Sequence, residues 1–194
     1  MLVEYRATSS AITEDIRKRM EYSYQEDGPV PLEDLCYLTI SHYDFDDKVA
    51  TGEMVVHKSL APEVMEIFKD LFDKRFPIEK MRLIDEYKAD DDISMEENNS
   101  SAFCSRRMTG STTKWSKHSY GVAIDINPKY NPYVIGSKVL PKGSESYVSR
   151  NQTGIKGFIT GDGDCVSVFK KYGWTWGGEW TSLQDYHHFE KNIQ

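Results

Sequence analysis

Hydrophobic and polar positions follow two different periods along this chain, and each period predicts a different kind of element. The run Leu35–Tyr43 is rich in β-branched and aromatic residues, which favours a strand. A polar turn at residues 44–48 and a second run over Val49–His57 complete the pattern of a β-hairpin. Between Ser59 and Phe76 the apolar residues instead recur at the spacing of one helical face. These residues are Leu60, Val64, Ile67, Phe68, Leu71 and Phe72.

The pattern is weaker in four other segments. Residues 1–30 predict a helical lead-in with an incomplete apolar face. The polar stretch Lys88–Ser101 favours a solvated loop, and residues 102–107 predict a short strand. Residues 129–160 form a long irregular region, and loops of this length are usually functional or disordered.

Two further elements are predicted in the second half of the chain. The segment Val122–Ile126 alternates in a way that suits a strand. Asp164 is a suitable helix N-cap, the apolar residues that follow it up to Tyr172 keep helical spacing, and Gly173 suits a helix end. Helices and short strands are interspersed with hairpin-like spacing, so the prediction is an α+β fold with an antiparallel sheet. We expect residues 1–194 to form a single domain, with 1–30 as its lead-in.

Composition and charge exclude some classes of function. The 194 residues carry a net charge of -7, which argues against nucleic acid as a partner because phosphate binding needs a basic surface. The sequence has no apolar run long enough to span a membrane. Residues 1–6 have no apolar segment of the kind found in a signal peptide, so none is predicted in the sequence as it stands. The three cysteines lie far apart and without a Cys-x-x-Cys pair, which favours buried thiols, although one disulfide with a free thiol stays possible.

One candidate cluster lies in residues 116–128, which contain His118 and Asp125. An aspartate within the apolar frame of Val122–Ile126 is costly unless it is paired or bound to a metal. Asp125 is therefore a candidate metal ligand. The alternatives are an ion pair with Arg106 or a lysine, or a cap on the turn that follows.

A second cluster lies near the C-terminus, where His187 and His188 are adjacent. Neighbouring strand residues point to opposite faces, so one histidine is expected to face a metal and the other to face away. A zinc hydrolase also needs a carboxylate that does not bind the metal, and Asp185, Glu179 and Glu190 are available. The alternative for the two histidines is a half-exposed surface pair.

The two clusters together resemble the M15 family of zinc peptidases. The spacing Ser-x-His-x-x-Gly-x-Ala-x-Asp of that family is filled from Ser116 to Asp125, and an acid three residues before a final histidine ligand is supplied by Asp185 and His188. With His187 as the ligand, Gln184 would stand at the acid position, and an amide cannot act as a base. The family includes D-alanyl-D-alanine carboxypeptidases and L-alanyl-D-glutamate endopeptidases of bacterial cell walls.

The resemblance implies a role for each residue of the site. Zn²⁺ would be held by His118, Asp125 and His188, with Asp185 as the general base. Arg106 would bind the substrate carbonyl or carboxylate, and its neighbour Arg107 is the residue with which it could be confused. Further residues are assigned to the surroundings of the metal or to the substrate cleft; they are Ser116, Trp176 and Tyr120. For the aromatic pair, an ordinary place in the core is an equally good interpretation.

The resemblance also implies a fold, a substrate and a location. The fold would have a small central antiparallel sheet that carries the zinc site, flanked by helices. The substrate would be a stem peptide of peptidoglycan, cut by a carboxypeptidase or an endopeptidase, and the shape of the 129–160 loop is expected to decide between the two. The protein would be a monomer in the periplasm, in the cell envelope or outside the cell.

Two other functions are compatible with the same residues. One is a binding module of the same fold that holds zinc without catalysis. The other is a cysteine hydrolase that uses Cys104 or Cys165 with a histidine. His42 and His57 are expected to have structural roles.

Overall fold

The computed structural model describes residues 4–108 and 110–193. The first three residues of the predicted lead-in therefore lie outside the described residues. The strands of the described residues are β1 Ala7–Ala11, β2 Leu35–Tyr43, β3 Val49–His57, β4 Lys80–Met81, β5 Asn99–Ser100, β6 Ala123–Asp125, β7 Tyr133–Ile135, β8 Lys138–Leu140, β9 Thr175–Trp176, β10 Gln184–Asp185 and β11 His188–Glu190. The α-helices are α1 Glu14–Arg19, α2 Ala61–Asp73, α3 Asp91–Glu96 and α4 Asp164–Lys171.

The predicted hairpin is confirmed with the same bounds as β2 and β3. They pair antiparallel from Leu35 opposite His57 to Tyr43 opposite Val49. The N-terminal segment differs from the prediction, because residues 7–11 form β1 on the free edge of β2 and only α1 is helical. Four of the five residues of β1 are exposed, so β1 lacked the apolar signal of a core strand.

The predicted amphipathic helix is α2, which packs its apolar face on β2 and also contacts α4. Pro62 lies in its first turn, where a missing N–H has no intrahelical partner to lose. Helix α4 begins at Asp164 with Gly163 as the N-cap, so the predicted cap is displaced by one residue. Both helices contribute to one hydrophobic core, which also contains Phe189.

A three-stranded antiparallel sheet, ordered β6-β11-β9, joins the two predicted clusters. His188 pairs directly opposite Asp125, and Phe189 pairs opposite Ile124. The Phe189 ring stacks on Phe169 of α4 with 3.9 Å between ring centroids. Because strand residues alternate, this apolar contact turns His188 and Glu190 to the other face.

Three predicted loops or strands are corrected. The polar stretch 88–101 contains α3 and β5, because Asp90 caps α3 by accepting a hydrogen bond from the Ile93 N–H. Residues 102–107 form no continuous strand; Arg107 forms an isolated bridge with Trp115, and Ser101, just before the segment, forms one with Asp125. The irregular region 129–160 contains the hairpin of β7 and β8, and β10 pairs with β7.

The 129–160 region is fixed by a buried polar network. The Asn131 amide nitrogen donates to the carbonyl oxygens of residues 126, 127 and 157. Arg150 donates to Asn131 Oδ1 at 2.9 Å, and its guanidinium lies between the rings of Phe158 and Tyr186. Buried polar groups are stable only when they are paired, so this network gives the long loop a defined path.

The architecture is a mixture of helices and several small, mostly antiparallel sheets, with β4 and β5 as a parallel pair. The coarse prediction of helices interspersed with short antiparallel strands agrees with this. None of the helices in the described part of the chain is long and apolar enough to cross a membrane.

Gly121 provides a test of how closely the hairpin approaches the turn Lys117–Tyr120, which carries His118. Its φ is +66°, and an added Cβ would lie 2.5 Å from the backbone nitrogen of His57. Gly136 has a similar φ of +56° but no heavy atom within 4 Å of such a Cβ. We expect Gly136→Ala to lower the free energy of unfolding by about 1 kcal/mol through backbone strain alone. Gly121→Ala should lower the free energy of unfolding by about 1–3 kcal/mol more, because the backbone near His57 must move to make room for the Cβ.

Urea unfolding of the two variants measures this difference. Equal losses of unfolding free energy would contradict the close contact between Gly121 and β3.

Candidate metal centre

The two clusters meet at the base of a cleft of about 810 Å³. His118, Asp125 and His188 all line it, and all three are buried. The cleft walls are formed by α3, by residues 106–108 and 115–118, by the β7–β8 hairpin and by residues 180–190. Titratable groups that converge in one cleft are typical of a functional site.

Three side chains bring their donor atoms close together. His118 Nε2 lies 3.1 Å from Asp125 Oδ2 and 3.3 Å from His188 Nδ1. His188 Nδ1 lies 3.0 Å from Asp125 Oδ1. Ligands at about 2.0–2.1 Å from a tetrahedral ion lie about 3.3 Å from one another, so these separations are close to those of a metal site.

His118 is positioned by a short 3₁₀ turn, Lys117–Tyr120. The Ser116 hydroxyl caps this turn by accepting a hydrogen bond from the His118 N–H at 3.3 Å. The His118 Nδ1–H donates to the carbonyl oxygen of Ala102 at 2.5 Å. That bond fixes the ring and leaves Nε2, the atom that faces Asp125, with a free lone pair.

Asp125 and His188 are positioned by strand pairing. They are cross-strand neighbours on β6 and β11, so their side chains leave the same face of the sheet. Asp125 is only 4% exposed, and the neighbours within hydrogen-bond distance of its carboxylate are histidines. The carboxylate therefore forms neither an ion pair with Arg106 nor a cap on the following turn.

The electrostatics of the metal-free site are those of a buried carboxylate among histidines. Burial raises the pKa of Asp125, but the adjacent imidazoles of His118 and His187 outweigh it and hold the pKa well below its usual range. Burial lowers the pKa of His188, but hydrogen bonds to Asp125 and Glu190 raise it to about 10. A bound cation would take the place of the proton that neutralises this group.

The donor set fits a divalent metal ion. Two imidazole nitrogens and one carboxylate oxygen suit zinc, and three protein ligands leave a position for water. The described residues thus contain a buried His118-Asp125-His188 group that could hold a metal.

Glu190 belongs to the site, although sequence analysis assigned it no specific role. Its Oε2 lies 3.1 Å from His188 Nε2, on the ring edge opposite Nδ1, the atom that faces Asp125. The hydrogen bond to His188 lowers the pKa of Glu190. A carboxylate on the far nitrogen orients a ligating histidine and makes it more basic. The period-two spacing of His188 and Glu190 on one strand is the signal that could have identified it.

His187 does not face away from the cleft, so that prediction is wrong. Residues 186–187 form a turn between β10 and β11, and strand alternation does not apply there. The His187 Nδ1–H donates to the carbonyl oxygen of Asn131 at 2.7 Å, and its Nε2 lies 2.9 Å from Asp185 Oδ1. Burial lowers the pKa of His187, but the charges of Asp185 and Asp125 raise it to about 9.

Asp185 and Glu190 line the cleft, whereas Glu179 does not and instead pairs with Lys170 at 2.5 Å. Glu179 is therefore excluded from the three acids that the sequence offers as a general base. Asp185 is buried on β10 and is held within reach of the cleft by pairing opposite Tyr133. Asp185 lines the same cleft as the three candidate ligands, but it is not part of the group whose donor atoms lie close together.

Arg106 also lines the cleft, and its backbone is tied to the metal-binding turn. Its N–H donates to the Ser119 hydroxyl at 2.9 Å, and that hydroxyl donates to the Arg106 carbonyl at 2.7 Å. The guanidinium Nη2 lies 2.9 Å from Asp91 Oδ2 at the start of α3. Arg107 is turned differently, with its guanidinium 3.6 Å from the ring centre of Trp115.

The predicted aromatic residues of the cleft are corrected. Trp176 is buried in the hydrophobic core, because it pairs opposite Phe189 and shares its face of the sheet. Tyr120 ends the 3₁₀ turn and lines a separate depression on the surface. The aromatic side chains that do line the cleft include Trp180 and Tyr133. The Trp180 ring centre lies 5.4 Å from that of His188.

The remaining histidines and the cysteines lie elsewhere. Among the described residues that line the cleft there is no His42, His57 or cysteine. All three cysteines are buried free thiols, as the composition predicted. Burial raises the pKa of the Cys104 thiol to about 12.

The contact between Glu190 and His188 predicts an effect on metal binding. Glu190→Gln removes the negative charge that orients the ligand, so we expect the affinity for zinc to fall by about 10–100-fold. Competition with a chelating dye would measure it. Glu179→Gln is the matched control, since Glu179 is an exposed acid of the same region and should leave the affinity unchanged. Equal affinities of the two variants would argue against a supporting role for Glu190.

The raised pKa of His188 predicts proton release on metal binding. Below a pH of about 10 the metal-free imidazole holds a proton, and the metal must displace it. Zinc affinity should therefore rise as the pH increases from 6 towards 8. Calorimetric titrations at pH 7 in buffers of different ionisation enthalpy would count the released protons. Binding enthalpies that do not depend on the buffer would show that His188 is already deprotonated.

Comparison with known proteins gives one match. Residues 109–191 match the model of a peptidase M15 family described as D-alanyl-D-alanine carboxypeptidase. No curated protein and no solved structure matches the chain. The matched segment is less than half of the chain, but it contains His118, Asp125, Asp185 and His188. On this match and on the geometry within it, residues 109–191 are similar to the M15 peptidases.

Proposed function

We propose that this protein is a zinc peptidase that hydrolyses a peptide bond in the stem peptides of bacterial peptidoglycan. The observation that carries the proposal is the convergence of His118, Asp125 and His188 at the base of a cleft that Asp185 also lines. The family match supports a peptide substrate of the cell wall. Such a substrate lies outside the cytoplasm, so the proposed location is the periplasm, the cell envelope or the exterior.

Zinc is proposed because of the donor chemistry. Two neutral imidazoles and a carboxylate are preferred zinc ligands, and a catalytic zinc site keeps a position for water. When bound, zinc supplies positive charge that lowers the pKa of a water molecule and polarises a carbonyl group.

Asp185 is the proposed general base. It would accept a proton from the attacking water and then deliver that proton to the departing amine nitrogen. Its Oδ1 lies 2.9 Å from His187 Nε2, and the contact lacks the alignment of a hydrogen bond within the described residues. His187, held by the Asn131 carbonyl, would keep the Asp185 carboxylate in position.

Arg106 and Ser116 have supporting roles in this proposal. The Arg106 guanidinium would donate a hydrogen bond to the substrate carbonyl oxygen as negative charge develops there. Ser116 would hold the turn that carries His118 through its cap on the His118 N–H. The apolar wall formed by Leu140, Leu183 and Trp180 would exclude water from the bound peptide.

The state of the cysteines argues against a cysteine hydrolase. Burial raises the pKa of Cys104 to about 12 and that of Cys165 well above its usual value. A thiol with a raised pKa holds little of the nucleophilic thiolate at neutral pH. Chelators should therefore abolish activity, and thiol alkylation should not.

Replacement of Asp185 tests the assignment of the base. Asp185→Asn keeps the size of the side chain but cannot accept the proton, so we expect turnover of muropeptides to fall by about 10²–10⁴-fold. Zinc content should stay at the level of the parent protein, because Asp185 is not one of the three donors. Asp162→Asn, an exposed aspartate outside the cleft, is the matched control.

Two outcomes would overturn parts of this proposal. Parental turnover in Asp185→Asn would exclude Asp185 as the base. A zinc-loaded parent protein that cleaves no D-residue-containing peptide would instead support a binding module that holds zinc without catalysis.

A further inference from the structure

The pairing of Arg106 with Asp91 bears on which peptide bond fits the cleft. Arg106 Nη2 lies 2.9 Å from Asp91 Oδ2, and both side chains are only partly exposed, at 26% and 31%. Both residues line the cleft of the metal-binding group. Opposite unit charges this close together largely cancel at the distance of a bound substrate.

The rest of the guanidinium remains able to donate. Because Nε is buried, this capacity lies with the terminal nitrogens of the partly exposed side chain. Burial lowers the pKa of Arg106, but Asp91, followed by smaller effects of Cys104, Asp125 and Asp185, raises it overall. Arg106 therefore offers a hydrogen-bond donor near the metal-binding residues without a free positive charge.

A carboxylate and an amide carbonyl make different demands on such a site. A terminal carboxylate needs an unpaired cation or a bidentate guanidinium fork. An amide carbonyl needs one neutral donor. The acids of α3 also disfavour a substrate carboxylate, because Asp90 and Asp92 line the same wall as Asp91.

The surface beyond the metal-binding residues is long enough for a continuing chain. A second depression of about 460 Å³ is lined by Tyr120, Val122 and Ile193. It shares Met108, Trp115 and Lys117 with the cleft, so the two hollows adjoin. A carboxypeptidase needs a closed end for the terminal residue, and an adjoining hollow instead leaves room for peptide on that side.

We infer that Asp91 is a specificity residue, which neutralises Arg106 and thereby directs the cleft to internal peptide bonds rather than to bonds next to a free C-terminal carboxylate. This inference rests on the proposed function. It assigns Asp91 to substrate selection, and it makes the protein an endopeptidase.

A pair of synthetic stem peptides tests the inference. The two share one sequence and one scissile bond, and the residue after that bond ends either in a free carboxylate or in an amide. We expect the zinc-loaded parent protein to hydrolyse the amide with a kcat/KM at least about 10-fold higher. In Asp91→Asn the freed Arg106 should attract the carboxylate, and the ratio should fall to about one or reverse.

Two matched variants separate the ion pair from other effects. Asp92→Asn removes one negative charge from the same helix but leaves Arg106 paired, so the preference for the amide should persist. Asp91→Glu keeps the charge and should also preserve the preference. If Asp92→Asn lowers the ratio as much as Asp91→Asn, the general field of α3 is responsible and the role of Asp91 is refuted.

Binding without turnover gives a second readout. In an Asp185→Asn background, calorimetry would measure the affinity of both peptides with and without Asp91→Asn. Tighter binding of the free acid, by about 10-fold, is expected only when Asp91 is replaced.

The outcomes distinguish this inference from the proposed function. If the parent protein hydrolyses both peptides and prefers the free acid, the inference fails and the peptidase proposal stands. If the parent neither hydrolyses nor binds either peptide, the proposed function fails, and the inference that rests on it fails too.

Discussion

The site depends on one buried carboxylate. Asp125 lies within an apolar strand, almost fully removed from solvent, where an unpaired charge would be strongly unfavourable. Its negative charge is offset by the imidazoles of His118 and His188, at 3.1 and 3.0 Å. The same arrangement that makes the carboxylate tolerable in the core also gives three donor atoms that converge on one point. Stability of the strand and capacity for a metal are therefore two consequences of one interaction.

Contacts with the surrounding fold hold these groups in place. The stacked rings of Phe169 and Phe189 fix β11 on α4, which sets the face on which His188 and Glu190 lie. The carbonyl of Ala102 holds His118 from outside this group of donor atoms. Because each ligand is held by a contact that the metal does not use, the geometry is preorganised before any ion binds.

Charge in the cleft is distributed unevenly between its base and its wall. The base combines carboxylates with histidines. The wall of α3 is acidic, and its Asp91 pairs with the cleft arginine, Arg106. The arginine of this cleft is therefore held in an ion pair. In the proposed peptidase, the selection of substrate would then depend on hydrogen bonding more than on net charge.

The sequence alone determined the elements with strong apolar periodicity and the residue whose burial would be unfavourable without a partner. The β2–β3 hairpin and α2 follow from apolar spacing, and Asp125 stood out because a charge in an apolar strand needs a partner. Tertiary structure decided what depends on distant contacts. Strand β1 forms only because β2 offers an edge, His187 turns inward because residues 186–187 leave the strand, and Trp176 is buried because its partner is Phe189. The pairing of Arg106 with Asp91 likewise joins residues with no shared local pattern, and such a contact exists only once the chain has folded.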